Sequence, residues 1–99
     1  MSYADFVAAE RRAAILGFLL EADGTANERS LLSALKATQF PRLTATQLRT
    51  DLDELRRKGC VTHEWLHDDL LIAELTARGQ DCARGDIEIA GIARPERIR

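Results

Sequence analysis

The chain has 99 residues, 45% of them hydrophobic and 30% charged, which suits one domain with a modest core and excludes global disorder. Its 14 basic and 16 acidic side chains leave a net charge of −2, so nonspecific nucleic-acid binding through clustered cations is not expected. No apolar run approaches the roughly 20 residues of a membrane span, the N-terminus lacks a signal-peptide core, and two lone cysteines make no secreted disulfide framework; a cytoplasmic protein with reduced thiols is expected.

The first helix is predicted to start at Ser2, with Asp5 near the positive helix end, and to run through FVAAERRAAILGFLLEA to a glycine stop at Asp23-Gly24. In its second half Ala13, Ile15, Leu16, Phe18, Leu19 and Leu20 spread apolar surface over more than one face. That width suits a central core helix, and it makes Phe18 a candidate contact for a second subunit. Thr25-Ala26-Asn27-Glu28 has capping-box spacing and leads into a second helix, ERSLLSALKA, with Leu31, Leu32 and Leu35 inward. The link from Thr38 to Leu43 contains Phe40-Pro41, which breaks the helix. It is longer than the roughly 3–4 residues of the tightest helix-turn-helix units.

A third helix is predicted from Thr44 to Lys58, TATQLRTDLDELRRK. Thr44 caps it and Gln47, three residues on, reciprocates. Ala45, Leu48, Leu52 and Leu55 make an inward apolar stripe, and the opposite face carries Thr46, Arg49, Thr50, Asp53 and Arg57. Gly59 ends the helix. The chain then alternates, with Val61, His63 and Trp65 on one side and Thr62, Glu64 and Leu66 on the other. His67-Asp68-Asp69 makes a polar turn without the glycine that commonly favours one. The return strand, LLIAELT, places Leu71, Ala73 and Leu75 on one face. Thr76 caps a short fourth helix, ARGQDCAR, closed by Gly85. Residues 85–99 alternate at Ile87 and Ile89 before a Gly and a Pro, so a docked arm with a frayed tip is expected. No repeat or linker divides residues 1–99, which read as a single domain.

Helix, helix, amphipathic helix with a polar outer face, then hairpin is the order of parts in a winged helix-turn-helix. The fold expected is α+β: a three-helix core, a two-stranded β-hairpin wing, a short fourth helix and a C-terminal arm. LRTDLDELRRKGCVT followed by ELTARGQDCARG resembles winged-helix regulators of the multiple-antibiotic-resistance and arsenic-repressor kinds, through Gly59-Cys60-Val61 and Leu75-Thr76-Ala77-Arg78-Gly79. With GIARP near the end, the chain more closely resembles small winged-helix proteins encoded in Mu-like prophages. The resemblance, over roughly residues 10 to 95, implies a winged-helix fold and a phage context; it fixes no activity.

If the third helix enters a major groove, Gln47, Arg49 and Thr50 are the candidates for base edges, with Arg42, Thr46 and Arg57 near phosphates. A DNA-binding transcriptional regulator, acting on double-stranded DNA as a homodimer, is therefore one expectation. Two features oppose it. Asp51, Asp53 and Glu54 offset most of the charge of Arg49, Arg56, Arg57 and Lys58, and the wing carries Glu64, Asp68 and Asp69 with no Arg or Lys. The alternative is an adaptor that binds a phage or host protein, with Phe18, Trp65 and Leu70 as interface residues. Trp65 then either meets a partner or covers the junction of the first and third helices.

Cys60, His63, His67, Asp68 and Asp69 are the one group with metal-ligand chemistry. On an extended strand the two histidines lie roughly 13 Å apart, too far to share an ion, and Cys60 points to the opposite face. No metal or other cofactor is expected. Neither is an enzyme, since the chain has no phosphate-binding glycine loop, nucleophile elbow or base-and-nucleophile trio. Arg94, Arg97 and Arg99 read as a solvated tail.

Overall fold

The computed structural model describes residues 2–95, which form four helices and a three-stranded antiparallel sheet, an α+β arrangement. Helix α1 (Tyr3–Glu21) starts with a capping box: the Ser2 hydroxyl accepts from the Asp5 amide and the Asp5 carboxylate accepts from the Ser2 amide. It stops where Asp23 and Gly24 take positive φ and the Gly24 amide returns to the Leu19 carbonyl at 2.7 Å.

The next residues depart from expectation. Thr25–Asn27 is a strand, β1, and the residue that caps α2 (Glu28–Ala37) is Asn27, whose side chain accepts from the Ser30 amide at 2.9 Å. Thr25 is held in the sheet and makes no capping box. The Thr44–Gln47 box at the start of α3 (Ala45–Arg57) is present with both of its bonds. Gly59, at φ 78°, ends that helix and turns the chain into β2 (Val61–Leu66).

Strand β3 (Leu70–Leu75) pairs with β2 through Trp65 opposite Leu71 and Leu66 opposite Leu70, and with β1 through Ala26 opposite Ala73. The sheet order is β1-β3-β2, so the expected two-stranded hairpin is part of a three-stranded sheet with β2 at one edge. His67 and Asp68 both adopt positive φ (54° and 63°), as a tight hairpin turn demands, although neither is glycine.

Alternation divides the sheet cleanly. Val61, Leu71, Ala73 and Leu75 are buried against the helices, joining Ile15, Leu16 and Leu19 of α1, Leu31 and Leu35 of α2, and Leu48, Leu52 and Leu55 of α3. Ala45, expected on that stripe, is exposed at the first turn of α3; its place among the inward residues is taken by Asp51.

Helix α4 (Ala77–Arg84) is fixed by the two short motifs read in the sequence, which dock on each other. The Thr76 amide donates to the Cys60 carbonyl, and the Thr76 hydroxyl donates to the Gly59 carbonyl at 2.6 Å while accepting from the Gly79 amide. A Cβ on Gly79 would lie 2.0 Å from the Cys60 carbonyl oxygen, so only glycine permits this approach. After Gly85 the chain forms no strand at Ile87 and Ile89. It is nonetheless docked: Ile89 is buried, the Ala93 amide donates to the Ala9 carbonyl, and Arg12 donates to the Gly91 carbonyl. The expected frayed tip, with Arg97 and Arg99, lies outside the described residues.

Candidate functional site

Two surfaces were singled out by sequence, the outward face of α3 and the hairpin. The capping box and the leucine stripe turn Thr46, Gln47, Arg49, Thr50 and Arg57 outward, and all five are exposed. Arg42, in the preceding link, is exposed beside a groove lined by Val7, Phe40, Pro41 and Leu43. The polar face therefore exists as a surface. Its charges are another matter.

Arg49 reaches back to α2. Its Nε and Nη2 donate to the two carboxylate oxygens of Glu28 at 2.6 and 2.9 Å, a bidentate pair. Glu28 is buried, and its Oε2 also accepts the Leu71 amide of β3 at 2.6 Å. Through this carboxylate α2, α3 and the sheet are tied at one point. The Arg49 hydrogen bonds are the main reason its pKa is held below the ordinary 4.5, against the opposing effect of burial. The Arg49 guanidinium also lies 5.3 Å from the centre of the Trp65 ring, a cation–π distance.

On the inner flank Asp51 is 1% exposed and pairs with Arg11 and Arg12 of α1. Arg12 continues to the Gly91 carbonyl, so this second staple ties α3 to α1 and to the C-terminal arm. Along the outer flank Asp53 accepts from Arg56 at 2.7 Å and pairs with Arg57 at 2.8 Å, and Glu54 lies within ion-pair range of Arg57 and Lys58. Every charged side chain of α3 thus has an ionic partner within the chain. Gln47 spends its carbonyl oxygen on the Thr44 amide, and the Thr50 hydroxyl donates to the Thr46 carbonyl.

The hairpin is the reverse case. Its outer face carries Thr62, Glu64 and Leu66 on β2, and Leu70, Ile72 and Glu74 on β3. Leu66 is 44% exposed and stands opposite half-buried Leu70; Glu64 stands opposite half-buried Ile72. Trp65, on the other face near the tip, is 50% exposed and leans toward α3 rather than entering the core. Residues 61–75 contain Glu64, Asp68, Asp69 and Glu74 and no Lys or Arg. Among the described residues none of these four acids has an ion-pair partner. Phe18 is half-buried and packs on the core, beside Ala26, Ser30 and Leu31.

His63 Nε2 is 3.0 Å from the Leu52 carbonyl oxygen, where it donates, and burial pulls its pKa below the ordinary 6.5. Cys60 and Cys82 are buried thiols whose pKa values burial raises. Among the described residues no three His, Cys, Asp or Glu side chains gather as a metal site, and no helix is long and apolar enough to cross a membrane.

The two buried carboxylates were the functional-looking residues that sequence reading missed. Asp51 was detectable, because it follows Leu48 by three residues and so falls on the leucine stripe. Its charge at an inward position calls for a cation, and the Arg11-Arg12 pair supplies two.

No family model matches the chain. It is 34% identical over 91 residues to the uncharacterized protein gp26 of Escherichia phage Mu, an alignment that covers 92% of this chain and 93% of that protein. No solved structure matches.

Proposed function

The chain belongs to the family of the phage Mu protein gp26, and on that premise we propose that it is a phage winged-helix protein that works by contacting another protein. The winged-helix reading is supported by the element order, with helix, short strand, two helices and a hairpin, and by a sheet that packs one face on the helices. The observation that carries the functional reading is the unequal state of charge on the two exposed surfaces. All charges of α3 are neutralised in place, and Arg49, the best base reader by chemistry, is committed to a buried carboxylate. The hairpin, which in a DNA-bound winged helix would approach phosphate, carries four carboxylates and no cation. It also carries the exposed Trp65 and Leu66.

The second reading, a transcriptional regulator that binds duplex DNA as a homodimer, is favoured by the exposure of Thr46, Thr50, Arg57 and Arg42 around one helix face. A titration separates the two. The full chain is mixed with labelled duplexes, both random and from the phage's own regulatory regions, at several salt concentrations. Protein contact predicts weak binding with no preference for sequence. A dissociation constant of about 10⁻⁸ M for one sequence, lost in Arg57→Ala and Thr50→Ala, would establish the regulator and end the adaptor reading.

A further inference from the structure

We infer that the outer face of the β2–β3 hairpin is a docking surface for a protein that presents an apolar ridge flanked by lysines or arginines. This inference rests on the protein-contact reading and adds to it the place and the chemistry of the partner. The sheet buries its inner face on the helices, and no element of the described residues covers the outer one. There Leu66 and Leu70 form a cross-strand pair and Ile72 lies diagonal to Leu66, so three aliphatic side chains make one continuous strip. A monomer gains nothing by holding this strip in water, whereas burying it against a partner removes apolar surface from solvent.

The rim selects the occupant. Glu64 and Glu74 border the strip along the strands, and Asp68 and Asp69 close it at the turn. Unlike the acids of α3, these carboxylates have no ion-pair partner among the described residues, so no described arginine or lysine competes with an incoming cation. Nucleic acid and anionic lipid carry the wrong sign. A basic, apolar protein surface satisfies both the strip and its rim, and complementary charge would speed encounter as well as fix orientation.

Occupancy is read by calorimetry, because Trp65, the chain's single tryptophan, lies on the opposite face of β2 from the strip. The test titrates the full chain with a synthetic peptide of alternating leucine and lysine. Control peptides replace leucine by serine or lysine by glutamate. The expected result is saturable binding to the leucine–lysine peptide that weakens with salt, and affinity lower by about tenfold or more for either control and for the Glu64→Lys variant. Leu66→Asp should lose binding to the same degree while its melt stays at the wild-type value. That variant adds negative charge, so a purely ionic attraction would be strengthened by it.

Undiminished binding by folded Leu66→Asp, or no binding by the wild type, overturns the inference. So does a wild-type dimer in sedimentation that Leu66→Asp dissociates, since the occupant is then a second copy. Failure of the peptide series without sequence-specific DNA binding refutes this surface alone. Sequence-specific DNA binding refutes the reading beneath it.

Discussion

The outward face of α3 and the outer face of the hairpin are both open to solvent, yet they hold their charges in opposite ways. On α3 each carboxylate and each guanidinium has been matched from within: Arg49 by Glu28, Asp51 by Arg11 and Arg12, Asp53 by Arg56 and Arg57. On the hairpin Glu64, Asp68, Asp69 and Glu74 have no ion-pair partner among the described residues and stand around exposed Leu66 and half-buried Leu70 and Ile72. A polar helix face is thus weak evidence of a ligand when its charges already serve the fold. The surface with unbalanced charge and uncovered carbon is the better candidate, even on an element conventionally treated as an accessory.

The contrast breaks most easily at Asp51. Asp51→Ala leaves two arginines facing a buried site without their counterion, which should cost about 3–5 kcal/mol. In a chain of this size the thermal midpoint should fall by more than about 10 °C. A loss under about 1 kcal/mol would mean that the inner charges of α3 are not structural.

Glu28→Gln comes next, at about 2 kcal/mol, because the Leu71 amide and Arg49 lose a charged acceptor but half-exposed Arg49 regains water. Its duplex affinity should stay at the wild-type level. A rise in affinity with an unchanged melt would mark Arg49 as a nucleic-acid contact held in reserve.

A smaller effect is carried by pH. Glu28 is depressed in the folded chain, so its contribution is full above the ordinary 4.5 and lost as pH falls through the folded value. Burial also depresses His63, so the folded state resists its protonation and stability is lost as pH falls below the ordinary 6.5. Melts of the wild type should decline on acidification first below about 6.5, from His63, and then below about 4.5, from Glu28, and the gap between wild type and Glu28→Gln should close at low pH.

Local chemistry made much of this fold readable in advance. Ser2, Thr44 and Thr76 cap helices where their spacing said they would, Gly59 and Gly85 end helices, and strict alternation from Val61 to Leu75 gives the hairpin. What escaped was whatever depends on distant residues. Thr25–Asn27 is too short to show a period and becomes a strand only because β3 lies beside it. Asn27 rather than Thr25 caps α2 for the same reason. Arg49 reads as a free base contact because its partner lies 21 residues away, and the partners of inward Asp51 are hidden because they lie 39 and 40 residues away. Alternation assigns the hairpin's side chains to two faces, but only packing decides that Leu66 stays exposed while Leu70 and Ile72 are half-buried.

The most direct measurement uses one isotope-labelled sample of the full chain and maps backbone amide shifts against two additions, the leucine–lysine peptide and duplex DNA from the phage's regulatory regions. The peptide should shift amides along Thr62–Leu66 and Leu70–Glu74 at saturation, and DNA should produce only small, sequence-independent changes. Saturable, sequence-dependent shifts centred on Thr46, Thr50 and Arg57, with the hairpin silent toward the peptide, would contradict the protein-contact reading.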